Sequence, residues 1–501
     1  MKTPDQEHLF QMPQYCGSDG VWTADFFEAA SSCDQQNWDP AALLSCVSLG
    51  YVCGDKTLLK EVRRQPWLSG FDKGEIQLSD VPQHGFRKQS PQEIGDEMIR
   101  LLEAEAELAC RGKANVFVLT SGGLDSRIVA GVIKRLKDQQ RIKGDIHSVT
   151  WGRRGSRDVA IGKVVADSLG FNWTHLDLAP EHFYENISVA ADELGGLISP
   201  INLHRMKWFH SLSENDLVLA GSYGDSIGRS EFSGRTVLEL LPFKFSNPFN
   251  LLKPDVLATG RREIEIEMER YRERFSDRPE YAMRECEQQC HYMRGMIAQT
   301  MSVIADKCSV YQMFTDPELF GYVWSVHPAF RNDKPYEMIL NQLGNNLDSL
   351  PWARTNRTLS GKAGVKVNST VNRYHDYSSW MAAYLDQVDV KSHAGWLEET
   401  GIFNGNSIME MAKLLRNSQS TGIRHATSGL LAWTFSLRNF ADRIHPVLPK
   451  LEPGTTPFPD LPTPATAARR YLREIPVLLG AVRKTRKWLR LREAIREFPP
   501  E

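Results

Sequence analysis

The chain predicts an α/β fold: a parallel sheet flanked by helices, followed by a mostly helical C-terminal part and preceded by a short N-terminal domain. Three observations predict it. Short strand-like runs recur at NVFVLT (115–120), IHSVTW (146–151), NWTHLD (172–177) and DLVLAG (216–221), and the continuous apolar character of the first is that of a strand buried on both faces. Segments of helical length lie between them, and β and α elements alternating at this spacing mean crossovers and parallel pairing. Two of the runs end in glycine turns, SGGLDS (121–126) and SYGDSIG (222–228). Ligands in such sheets bind at the carboxyl ends of the strands, so both turns are expected to open onto one crevice.

Residues 1–90 are heterogeneous, with an apolar segment from Ala41 to Val52 among turn formers. Residues 91–110 read as a helix, because Pro91 opens the segment, acids come early and apolar residues follow at helical spacing. RIVAGVIKRLKDQQ after the first glycine turn, RDVAIGKVVADSL (157–169) and the stretch from Pro180 to Leu194 are the next helices. The pattern from 255 to 345 is mostly helical. Residues 351–375, rich in Gly, Ser, Thr and basic side chains, read as a long loop, and GIRHATSGLLAWTFSLRNFADRI (422–444) as a helix. Proline density makes 445–464 an extended linker, and 465–501 a basic helix with Leu, Val, Trp and Ile between its arginines. Four parts result: 1–90, 91–444, 445–464 and 465–501.

Composition narrows the function. The 501 residues carry 60 Lys+Arg against 62 Asp+Glu, a formal charge of −2, with 41% hydrophobic and 24% charged residues. That is globular composition, and it argues against a dedicated nucleic-acid binder, which would be strongly basic. No run approaches the roughly 20 apolar residues of a membrane span, and the polar start MKTPDQEHLF lacks a secretory signal. Eight cysteines without a CxxC suggest reduced thiols in a cytoplasmic protein. Cys286, Cys290 and His291 fall short of a metal site because no further ligands stand at a plausible spacing. The basic C-terminal helix reads first as a snorkelling surface helix; contact with an anionic membrane surface or an acidic partner is the alternative.

The stretch from Val116 to Val132 carries the chemistry. A helix N-terminus behind a strand offers unpaired N–H groups and a partial positive charge to an anion. Gly122 and Gly123 let a phosphate approach the backbone, and Ser121 and Ser126 add hydroxyl donors. Asp125 makes sense beside a phosphate if Mg²⁺ sits between them, since a hard cation takes carboxylate and phosphate oxygens together. The other phosphate loop, GxxxxGK[ST], is absent: Gly361-Lys362 is followed by Ala363, with Asn356 where the first Gly belongs. Ser121 is no nucleophile elbow, since GxSxG is unmatched. Asp158 is either a helix-start acid or a site contact. Asp316 fits a helix cap before Pro317, and His291 and His327 fit structural roles.

Strand–SGGLDS–helix resembles the pyrophosphate-binding loop of the N-type ATP pyrophosphatases (PP-loop enzymes). The wording VFVLTSGGLDSR is most similar to the asparagine synthetase branch. HSVTWG…SRDVAIGKVVADSLGFNWTHLDL, LVLAGSYGDSIGRSEF, MFTDPELFGYVWSVHPAFR and SLPWARTNRTLSGKAG resemble later segments of that branch, in order. The resemblance implies an adenine nucleotide alpha hydrolase-like fold, ATP and Mg²⁺. It implies nucleotide contacts from Leu119, Ser121, Gly122, Gly123, Leu124, Asp125, Ser126, Val149 and Gly221, with adenine near Leu119 and Val149. It implies Mg²⁺ on Asp125 and Asp225, and a catalytic basic residue after "LP", for which Lys362 is chosen over Arg354 and Arg357. Ser222 and Tyr223 stand about where related synthetases carry Glu or Tyr, so both are site candidates. Glutamine-dependent members start with a processed Cys at position two, where this chain has Lys2, and residues 40–70 look like the end of the amidotransferase half. The expectation is a chain without its own glutaminase.

The reaction implied is adenylation of a small-molecule or peptide carboxylate, releasing pyrophosphate, then amide formation with ammonia or an amine. The nitrogen would arrive free, on the substrate, or from a separate glutaminase or other biosynthetic partner. Two alternatives remain: another PP-loop chemistry such as thiolation or tRNA modification, and a non-catalytic nucleotide-binding scaffold.

Overall fold

This computed structural model describes residues 8–451 except 73, 306, 363 and 450; the linker beyond 451 and the basic helix expected at 465–501 lie outside the described residues. The central sheet has five strands: β1 (Asn115–Leu119), β2 (Asp145–Gly152), β3 (Asn172–Asp177), β4 (Asp216–Ala220) and β5 (Ser309–Gln312). Their order is β5-β4-β1-β2-β3, and every pairing is parallel. Four strands fall where the sequence places them. The fifth lies inside the stretch read as mostly helical. It is a four-residue edge strand with three of its residues half-exposed, too short for a period to register.

The helices follow from local signals. α1 (Pro91–Ala109) begins with a capping box between Ser90 and Glu93. α2 (Asp125–Asp138) starts two residues earlier than the sequence suggests, which puts Asp125 on its first turn. α3 (Arg157–Leu169), α4 (Pro180–Asp192) and α5 (Thr421–Ile444) complete the frame around the crevice.

Two apolar cores cover the two faces of the sheet. On one side Val116, Val118, Leu217 and Leu219 pack with Met98 and Leu102 of α1 and Ile128, Val132 and Ile133 of α2. On the other, Leu119, Val149, Leu176 and Val218 join Phe183 and Ile187 of α4 and Leu431 and Leu437 of α5. Alternation along β1 sends Val118 to one core and Leu119 to the other. The N-terminal region enters this second core: the rings of Phe26 and Trp38 lie 5.9 and 5.7 Å from Phe440 of α5.

The segment 351–375 is irregular, as its composition predicts, but it is anchored. The buried Arg127 guanidinium donates to the carbonyls of Leu347, Leu350 and Pro351 at 3.1, 2.9 and 2.8 Å. The Ala353 N–H donates to the Gly122 carbonyl at 2.9 Å, so this loop leans directly on the first glycine turn. Asp316 caps the helix Pro317–Ser325 through the Glu318 N–H. All eight cysteines are free thiols, and no described helix is long and apolar enough to cross a membrane.

Candidate active site

The strand order reverses between β1 and β4. From β1 the chain moves outward through β2 and β3, while β4 and β5 lie on the other side. Such a switch point leaves a crevice at the carboxyl ends of the two strands. Here it is a cavity of about 280 Å³, lined by Leu119, Thr120, Ser121, Gly123, Asp125, Ser126, Trp151, Asp158, His204, Ala220, Gly221, Ser222 and Tyr374. Both glycine turns contribute, from segments nearly a hundred residues apart.

The first turn is tied by its own serines. The Ser121 and Ser126 hydroxyls lie 3.0 Å apart, Ser126 Oγ accepts from the Ser121 N–H at 3.2 Å, and Ser121 Oγ accepts from the Gly123 N–H at 3.1 Å. The two glycines have different reasons to be glycine. Gly123 lines the cavity, whereas a Cβ at Gly122 would stand 2.4 Å from that of Ala353. Gly122 is therefore demanded by the loop packed behind the turn. Leu124 and Val149 are fully buried in the two cores and sit behind the cavity wall.

Asp125 faces the second turn. A Cβ on Gly224 would lie 2.6 Å from its carboxylate, and one on Gly221 3.2 Å from its backbone. The Asp225 carboxyl lies close enough to Asp125 for its charge to act on it. Burial first, and the Asp225 charge second, push the Asp125 carboxyl well above the ordinary carboxylate range. Its Oδ1 is buried and has no hydrogen-bond partner.

Arg229, one turn after Asp225 on the short helix Gly224–Gly228 and its cap, pairs with Asp225 and with Asp333 at 2.9 Å. Burial works against its charge, but Asp125 and Asp225 outweigh burial and keep it cationic. The sequence reading passed over Arg229; the available signal was its i,i+4 spacing from Asp225. An orphaned buried carboxylate oxygen facing a second carboxylate is a donor set that fits a hard divalent cation. Among the described residues no group of three or more His, Cys, Asp and Glu gathers around a metal position, so the remaining ligands would have to be phosphate oxygens and water.

Asp158 lines the cavity and accepts from the Gly122 N–H; burial raises its proton affinity. Trp151, His204 and Tyr374 form an aromatic wall that no motif announced, because each comes from a different segment.

Three expected site residues sit elsewhere. Tyr223 is 1% exposed, with its ring in the core 6.2 Å from Phe10, because its position in the turn points inward where Ser222 points out. Ser222 stays on the crevice, its N–H donating to Gln312 Oε1 at 3.1 Å. Arg354 is held away from the cavity by Glu231 at 2.6 Å. Lys362 is exposed on a turn whose carbonyl accepts from Thr358. Neither basic residue lines the cavity, because the Trp352–Arg357 pairing folds this loop back on itself.

Residues 97–292 match the model of the family described as Asparagine synthase. Among solved structures, NMN synthetase from Francisella tularensis is 13% identical, with 48% of this chain and 94% of that one covered at a TM-score of 0.21, a likeness too distant to speak to activity. A search of curated proteins found no match. The family match spans both turns and the first four strands of the sheet, so residues 97–292 are similar to the asparagine synthase domain and contain the whole candidate nucleotide loop.

Proposed function

We propose that the crevice adenylates a substrate carboxylate with ATP and then transfers the acyl group to ammonia or an amine. The observation that carries this reading is Asp125: a buried carboxylate with an unpartnered oxygen, on the first turn of α2 behind a glycine turn at a parallel strand end. A plain structural turn would not keep such a group, because a buried polar atom left without a hydrogen-bond partner is costly.

In the first step a carboxylate oxygen of the substrate attacks the α-phosphorus, and the bond to the bridging oxygen of pyrophosphate breaks. The N–H groups at the start of α2 and the Ser121 and Ser126 hydroxyls are the groups positioned to meet the growing negative charge. Preorganised donors of this kind each contribute on the order of 10²–10³ in rate. Mg²⁺, held by Asp125 and Asp225, would neutralise phosphate charge as a Lewis acid. In the second step an amine attacks the acyl carbon, AMP leaves with the C–O electron pair, and a proton is lost from nitrogen. The nucleotide would extend from the serine turn toward Leu119, with Gly221 and Ser222 on the facing wall.

We further propose that nitrogen reaches the acyl intermediate as free ammonia, from the substrate's own amine or from a separate partner. The positions of Lys362 and Arg354 outside the cavity favour one competing reading, a nucleotide-binding scaffold without turnover. Incubation with Mg-ATP, carboxylates and amines separates the two. Release of AMP and pyrophosphate is the expected result. ADP as product contradicts adenylation, and binding without turnover favours the scaffold.

A further inference from the structure

The aromatic wall contains a histidine in an unusual state. His204 lines the crevice with φ at +47°, a conformation that costs a side-chain-bearing residue energy and is kept where surrounding structure enforces it. Its ring lies parallel to Trp151 (5.8 Å, 19°) and meets Tyr374 edge-on (5.5 Å, 73°). The Nδ1 atom lies 2.7 Å from the Tyr377 hydroxyl. Tyr377 is 2% exposed, and among the described residues Nδ1 is the acceptor its proton meets. The phenol therefore donates, and the proton of the neutral imidazole resides on Nε2. That N–H has no partner among the described residues and is not sealed in the core. Burial drives the ring down to about 4, so it is uncharged at neutral pH. The residues lining the cavity include no lysine or arginine.

We propose that His204 is a positioning residue for the acid to be adenylated: its Nε2–H donates to an acceptor on an uncharged, planar acyl body that lies along Trp151 and Tyr374. The inference rests on the adenylation reading and deepens it. A second carboxylate on the substrate would find no lysine or arginine among the cavity-lining side chains and would face Asp158 beside the aromatic wall. A flat, neutral group with a carbonyl or ring-nitrogen acceptor meets two rings and one oriented donor. The class selected is aryl or conjugated monocarboxylic acids with such an acceptor, in preference to dicarboxylic amino acids.

Carboxylate-dependent exchange of labelled pyrophosphate into ATP tests this, with three probe sets: aryl acids bearing an acceptor, the matching aryl acids without one, and aspartate and glutamate. The first set is expected to support the fastest exchange. His204→Phe keeps a ring and removes the donor, so the KM for the best acid should rise on the order of tenfold, the worth of about one hydrogen bond, with the KM for ATP and kcat little changed. His204→Gln, which returns an N–H, should recover part of the loss. Tyr377→Phe, a milder change, should raise the same KM severalfold and mix the imidazole tautomers seen by ¹⁵N NMR. Fastest exchange with aspartate or glutamate, an unchanged acid KM in His204→Phe, or a change in the KM for ATP instead would overturn the proposal and leave adenylation standing. Bound ATP with no exchange for any acid would defeat adenylation, and the proposal with it.

Discussion

Two buried carboxylates in this protein are treated in opposite ways. Glu285 is clasped on both oxygens: Arg331 donates to them at 2.8 and 2.7 Å, and His84 adds a contact at 3.1 Å. Burial alone would raise its pKa, yet Arg331 and then His84 outweigh burial and bring it down to about 2. Asp125 has an orphan oxygen and a second carboxylate for a neighbour, and its proton affinity goes up. Both side chains pay for desolvation. Arg331 and His84 more than offset burial for Glu285, whereas the Arg229 charge near Asp125 does not offset burial and the Asp225 charge. A carboxylate completed by its own fold holds the structure, and Asp125, left incomplete, is the one the proposed reaction assigns to a ligand.

The largest effect should follow from Glu285→Gln. Arg331 would stay buried without its counter-charge, a loss of about 3–5 kcal/mol in stability. Chemical denaturation would read it, while AMP release per folded molecule should hardly move. Asp125→Asn should do the reverse. Turnover should fall on the order of 10²–10³, and thermal melting should stay level or rise, because a repulsive buried charge is gone. A fold that collapses in Asp125→Asn would erase the contrast between the two sites.

Acid titration sharpens the same contrast. The Glu285 pKa is lowered in the folded state, so its contribution is complete above the ordinary carboxylate range and is lost as pH falls through that range toward about 2. Wild-type melting temperatures should drop across this interval, and Glu285→Gln should show a shallower drop. Gly224→Ala, with its Cβ 2.6 Å from the Asp125 carboxylate, should lower turnover roughly tenfold by displacing that group, in line with the cost of about 1 Å of misplacement or less. Tyr223→Phe should be the mildest change. Its ring fills the core behind the turn, so turnover should stay within about twofold and stability within about 0.5 kcal/mol.

The parts legible in the sequence were those written locally. The strands β1 to β4, the capping box of α1 and the SGGLDS turn each carry their signal within a dozen residues. Asp225 could be paired with Asp125 because both follow glycine turns at strand ends. What could not be read depends on contacts across the chain. Arg229 matters because Asp125, Asp225 and Asp333 converge on it. Trp151, His204 and Tyr374 meet only after folding. Tyr223 and Ser222 are adjacent in sequence, and only the path of the turn decides which one faces the crevice. Gly122 was expected to make room for phosphate, and the approach of Ala353 gives it a second task.

The most direct test of the central claim is exchange of labelled pyrophosphate into ATP, with wild type and Asp125→Asn compared side by side in the presence of Mg²⁺ and a carboxylate pool. The account predicts exchange that requires the carboxylate and falls by at least a hundredfold in the variant. Formation of ADP and phosphate in its place, or exchange in Asp125→Asn equal to wild type, would contradict it.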